Sequence, residues 1–158
     1  MKPALHALAT IILVLSLAAP VAAGPLEDAN AAFERGDYDT ALRLLGPLAN
    51  QGDVIAQSNL GFMYFNGQGV PQNHDEAAKW FWLAANQGVA SAQALLGFMY
   101  ADGQGVPQDY VRAHMWFSLS AVQGGQVAAI ERYSISKLMT PAQIAEAQKL
   151  AREWRPAP

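Results

Sequence analysis

Shifted against itself by 36 residues, the chain falls into register over long blocks. Leu60-Gly61-Phe62-Met63-Tyr64 lands on Leu96-Gly97-Phe98-Met99-Tyr100, and Gly67-Gln68-Gly69-Val70-Pro71-Gln72 lands on Gly103-Gln104-Gly105-Val106-Pro107-Gln108. Residues 53–88 and 89–124 share 20 of 36 positions, too many for chance. An array follows from this, because each unit is one supersecondary motif that buries its apolar face only against its neighbours. The frame extends upstream more weakly, with Asp39, Ala41, Ala49, Asn50, Gln51 and Gly52 falling on Asp75, Ala77, Ala85, Asn86, Gln87 and Gly88. The expected division is therefore an N-terminal helix pair, a partial repeat, over 24–52, full repeats over 53–88 and 89–124, and a divergent capping helix pair over 125–158. Outer repeats face water on one side, which accounts for their atypical sequences.

Within a unit the spacing predicts two helices and no strand. Helix A covers about 54–65, with Ala56, Gln57, Leu60, Met63 and Tyr64 on one stripe. Gly61 costs an isolated helix about 1 kcal/mol against Ala. Its return as Gly97 predicts that another helix lies too close there for a side chain. Gly67 ends the helix as a left-handed C′ residue, and Pro71 stops it from continuing. Asn73 then caps helix B, with Glu76 placed as the partner of a capping box, while Arg112 cannot play that part for Asp109. Ala77, Trp80, Phe81, Ala84 and Gly88 share one face of helix B, as do Ala113, Trp116, Phe117, Ser120 and Gly124. Near the end, Thr140-Pro141-Ala142-Gln143 reads as N-cap, N1 proline and N3 glutamine. The helix that follows, with Ile144, Ala147, Gln148, Ala151 and Trp154 at helical spacing, is expected to cover the last open apolar face.

The first 23 residues have another character. Lys2, the apolar run over 5–17, Pro20 and Val21-Ala22-Ala23 make the layout of a secretory signal peptide cleaved after Ala23. The alternative, a membrane anchor, needs roughly 20 spanning residues, which the run does not supply. The expectation is a periplasmic or secreted protein of a bacterium, with no stable membrane insertion after cleavage. The remaining chain is slightly acidic and has no arginine-rich run, which speaks against nucleic-acid binding. It has no cysteine, so it folds without disulfides or thiolate-bound metal.

The LGFMY block, the GQGVPQ loop and the run Ala77…Trp80-Phe81…Ala85…Gln87-Gly88 resemble the Sel1-like repeat family, cousins of the tetratricopeptide repeats with a longer loop between the two helices. The resemblance is strong over 53–124 and fair over 38–52. It implies an all-α fold, a right-handed α-solenoid of antiparallel helix pairs, and a role in assembling protein complexes. One departure is Ser118, which stands where Trp82 stands. Cysteine-rich relatives have been discussed as hydrolases, and this chain lacks those cysteines.

Residue patterns for catalysis are missing. The Gly-x-Gly triplets follow a predicted helix instead of a strand, and no Gly-Lys-Ser/Thr comes after them, so they read as helix-ending turns. His74 and His114 occupy different positions of successive B helices and have no i, i+4 partner, which suits solvated or capping residues better than a zinc site. No serine sits in a nucleophile elbow. Asp39 and Asp75 lie where helix N-termini favour acids, and Val111 follows them in the frame. Neither an enzyme nor a bound cofactor or metal is expected.

Binding is the function left open: a protein or peptide partner on the concave face usually lined by the A helices. Ile55, Asn59, Phe62 and Asn66 project off the A/B seam on the helical wheel, with Leu95, Phe98 and Asp102 as successors of the last three. Trp82 lies off the core face of helix B. The bland alternative for Phe62 and Phe98 is packing between neighbouring repeats. The rival function is a cell-envelope hydrolase or glycan-binding accessory acting on peptidoglycan, which needs clustered acids or a polar cleft.

Overall fold

A computed structural model describes residues 24–157; the expected signal peptide lies outside them. The described residues form eight helices and no strand: α1 Pro25–Glu34, α2 Tyr38–Asn50, α3 Val54–Asn66, α4 His74–Asn86, α5 Ala90–Asp102, α6 Tyr110–Val122, α7 Gln126–Ser136 and α8 Pro141–Glu153. Each of α1 to α7 packs chiefly on its neighbours in sequence, which makes the molecule a helical-repeat solenoid.

Local chemistry sets the helix ends. Asp53, Asn73 and Asp109 accept backbone N–H bonds from the first turns of α3, α4 and α6. Asn73 and Glu76 do not complete a capping box, however. The Glu76 carboxylate pairs with Lys79 instead of turning back to the Asn73 N–H. Thr140 and Gln143 do form both halves of the box at α8. Gly67 and Gly103 close α3 and α5 at φ of 69° and 71°, in the left-handed region that glycine enters without strain. The connector is then locked from its far end, where Gln72 and Gln108 donate side-chain amides to the carbonyls of Phe65 and Ala101, both at 2.8 Å.

The core is built around one site per repeat. Leu45, Phe81 and Phe117 occupy the same position of α2, α4 and α6 and are wholly buried. Small residues surround them, Ala41, Ala77, Ala84 and Ala113 among others, which lets the helices approach closely. Consecutive repeats are joined by buried amides. The Gln57 side chain donates to the Ala49 carbonyl at 3.1 Å and accepts from the Gln87 amide at 2.9 Å. One period on, Gln93 donates to the Ala85 carbonyl at 3.2 Å and accepts from Gln123 at 2.9 Å.

The first pair, α1 and α2, has a connector of only residues 35–37 in place of the seven of 67–73. At the other end α8 does not cover the outer face of α7. It turns back onto α6, where Trp154 meets Trp116 edge to face with centroids 6.4 Å apart. The connector over 137–140 is shorter than the one over 103–109, so α8 starts five residues earlier in the frame than α6 does. Val127, Ile130 and Tyr133 of α7 consequently stay exposed.

Candidate interaction surface

The eight residues singled out on sequence do not gather into one surface. Phe62 and Phe98 are the main correction: they are half-buried and lie on the A/B seam itself. Phe62 packs edge to face on Phe81 with centroids 5.2 Å apart, and Phe98 packs on Phe117 at 5.0 Å. Each ring therefore packs within its own repeat. Leu95 is likewise half-buried against the core. Asn66 and Asp102 are exposed at the ends of α3 and α5.

Ile55 and Asn59 do come together. With Asn30, Phe33 and Glu34 they line a shallow hollow of about 360 Å³ between α1 and α3. The Asn59 side chain donates to Asn30 Oδ1 at 2.8 Å, so its amide is already engaged.

Trp82 stands on the other side of the array, on α4, and is 50 % exposed. Its equivalents one period either way are Gly46 and Ser118, so the helix packing does not demand an aromatic there. Beside it lies a groove of about 610 Å³ whose apolar wall is Ala78, Trp82 and Leu83 of α4, Leu96 and Tyr100 of α5, and Val106 of the connector. Asp75 and Lys79 stand at its rim. Leu83 is also partly exposed. Trp82 stands out in the sequence by its place off the core face, whereas the groove does not, because Val106 and Tyr100 reach it only through the fold of the following repeat.

The same groove recurs one period later. Ala78, Trp82, Leu96 and Tyr100 correspond to His114, Ser118, Arg132 and Ser136, which line a smaller space of about 320 Å³. There the remaining wall is Tyr133 of α7 with Ile144 and Gln148 of α8. The chain thus brings an amphipathic helix of its own against the second groove and leaves the first open.

Both histidines correct the sequence reading, which placed them in solvent or at caps. His74 is half-buried and stacks on Phe65 with centroids 4.9 Å apart. His114 is buried beneath α8, with Ser118 Oγ 3.4 Å from its Nδ1. Burial, and to a smaller degree the Arg132 charge, push its pKa below the usual histidine value. Among the described residues no three His, Asp or Glu side chains stand close enough to hold a metal ion, and no helix is long and apolar enough to cross a membrane.

Comparison with known proteins agrees with this architecture. Residues 54–89 and 90–125 each match the Sel1 repeat. A protective antigen present in uropathogenic Escherichia coli strains, which displays an SLR fold, is 31% identical and superposes with a TM-score of 0.76 over 82% of this chain. A Sel1 repeat protein from Oxalobacter formigenes is 26% identical, with a TM-score of 0.66 over 80% of the chain. This chain spans 29% of the first protein's length and 54% of the second's. Comparison with curated proteins gives no match. Two Sel1 repeats therefore stand at the centre of the chain, within a helical array that shares the SLR fold of these solved structures.

Proposed function

We propose that this protein is a non-catalytic adaptor that acts after export, in the periplasm or outside the cell, and holds an amphipathic helix of a partner protein in the groove beside Trp82. The observation that carries the reading is the pair of equivalent grooves, one open and one bounded by α8. The α8 face turned to α6 carries Ile144, Ala147, Ala151 and Trp154 at helical spacing, and Ala147 is buried there. A partner helix with such a stripe, one aliphatic, small residues and an aromatic, has the shape and polarity to fill the open copy. Helix-in-groove recognition uses anchors at this spacing, and a half-exposed Trp is the type of residue that carries binding energy. Ile55 and Asn59, in their shallow hollow between the A helices, form a secondary contact in this reading, and Asn66, Leu95, Phe98 and Asp102 have no contact role.

A photoreactive amino acid at position 82 of the exported protein tests this. The expected result is a crosslink, in envelope extract, to the apolar stripe of a helical segment in one partner, with capture lost in Trp82→Ser. That substitution matches what Ser118 already does one repeat later, so the fold is expected to survive it. Crosslinks found only from position 55 or 59 would move the partner to the A-helix side, and no crosslink from any of the three would overturn the adaptor reading.

A further inference from the structure

Because α8 turns back onto α6, the outer face of α7 is left without the helix that a further repeat would lay on it. Large apolar residues are concentrated there. Of eight exposed large hydrophobic side chains among the described residues, five lie between 122 and 138: Val122, Val127, Ile130, Tyr133 and Leu138, each 60–83% exposed. Ala128 and Ile135 mark the buried side of α7. At 100° per residue Ile130 and Tyr133 fall opposite them, with Val127 one turn before Ile130 on the same flank. Lys137 lies over the Tyr133 ring at 4.4 Å and places one cation at the C-terminal end of the stripe.

We infer that this face joins two copies of the chain in a two-fold dimer, α7 against α7. Three arguments select a second copy as the occupant. The five residues expose roughly 600 Å² per copy, which approaches the roughly 800 Å² that each partner contributes to a stable interface once their polar neighbours are counted. Five exposed large hydrophobics along one helix and at its two ends are more than the singly scattered apolar residues that a monomer surface carries. The opposite end of the array offers no match: α1 has none of the exposed large hydrophobics and turns Glu27, Asp28 and Glu34 outward. Head-to-tail stacking, which would run on into a filament, is therefore disfavoured, and a self-complementary contact closes at two. The α7 face is separate from the Trp82 groove, so a dimer would present two open grooves, and partners with two binding helices would gain from both.

Sedimentation velocity on the exported protein, from low micromolar to submillimolar concentration, tests the inference. The expected result is a monomer–dimer equilibrium, with Ile130→Glu and Tyr133→Ser each weakening association at least tenfold while the helical circular dichroism is unchanged. Wild-type protein that stays monomeric at the highest concentration overturns the inference, whether or not it binds lipid vesicles. So does a dimer that both substitutions leave intact. Loss of helical signal in either variant would place these side chains in the core and overturn it as well. The Trp82 crosslink is read separately, so failure of the dimer and failure of the groove are distinguishable.

Discussion

Gly61 of α3 lies directly beneath the ring of Phe81 in α4. A Cβ on Gly61 would stand 2.6 Å from two of the ring carbons, and a Cβ on Gly97 would stand 2.5 Å from the ring of Phe117. No carbon approaches that closely, so the two helices of each repeat pack at a distance that only glycine permits. Phe62 and Phe98 clasp the same rings from the side, so the rings have little freedom to move away.

A graded pair of substitutions follows from this contact. Phe81→Ala and Phe117→Ala should each cost about 3–5 kcal/mol, the range for emptying a buried aromatic site. Gly61→Ala gains about 1 kcal/mol of helix propensity but overpacks the ring, which costs about 1–3 kcal/mol, so a net loss is expected. Adding Phe81→Leu should recover part of that loss, because the overlapping ring carbons go. Denaturant unfolding of the two single variants and the double gives the coupling. Strictly additive effects would mean that the contact is not what fixes Gly61.

Buried amides give a second test between repeats. Gln93 satisfies the Ala85 carbonyl and the Gln123 side chain at once, from a wholly buried position. Gln93→Met keeps the volume and removes both bonds, leaving the Ala85 carbonyl to the Gly88 N–H and Gln123 to the Leu119 carbonyl, at an expected cost of about 1–3 kcal/mol for the two. Gln57→Met likewise removes the bonds to the Ala49 carbonyl and Gln87, which keep the Gly52 N–H and the Gly52 carbonyl, and should cost a similar amount. Equilibrium unfolding measures both, and a change under about 0.5 kcal/mol, typical of surface sites, would show that the relay is dispensable.

Much of this architecture was legible in the sequence. The period, the helix ends at Gly67 and Gly103, the caps at Asn73 and Thr140 and the close approach at Gly61 are local or periodic signals, and they survive folding unchanged. Phe62 was misplaced because a helical wheel treats a helix as a cylinder of even radius. Next to a glycine the partner helix sinks in, the seam widens, and a residue 100° away becomes part of it. The burial of His114 and the open groove beside Trp82 depend on where α8 and the connector of the next repeat come to rest. Neither is encoded near the residues concerned. The direction taken by α8 rests on the length of the segment over 137–140, a quantity that pattern reading does not convert into geometry.

The docking of α8 can be measured through its tryptophan. Trp116 is buried and packs with Trp154 in a T-shaped pair, whereas the equivalent Trp80 is only half-buried. Trp154→Ala should cost about 2 kcal/mol, less than a fully enclosed aromatic because Trp154 keeps some exposure. Hydrogen exchange should quicken across α8 and stay slow in α4 and α5. Uniform acceleration in all helices would mean that α8 is part of one cooperative unit and not a separable latch.

The last prediction concerns acid. His114 is held below its usual pKa first by burial under α8 and then by the Arg132 charge, so the folded protein favours the neutral ring. The unfolded chain takes up that proton at the ordinary value, near 6.5. Below that pH the unfolded state binds more protons than the native state, and linkage then makes stability fall as pH falls. The contribution is fully present above pH 6.5 and is lost progressively down to the depressed folded value. His114→Gln keeps a polar side chain that does not titrate, and should therefore flatten this part of the profile. Thermal melts of wild type and variant between pH 7.5 and pH 5 give the comparison: the wild-type melting temperature should drop more on acidification, with α8 the first element to lose exchange protection. If the two profiles run parallel, protonation of His114 is not coupled to folding, and its site beneath α8 admits water more freely than its burial indicates.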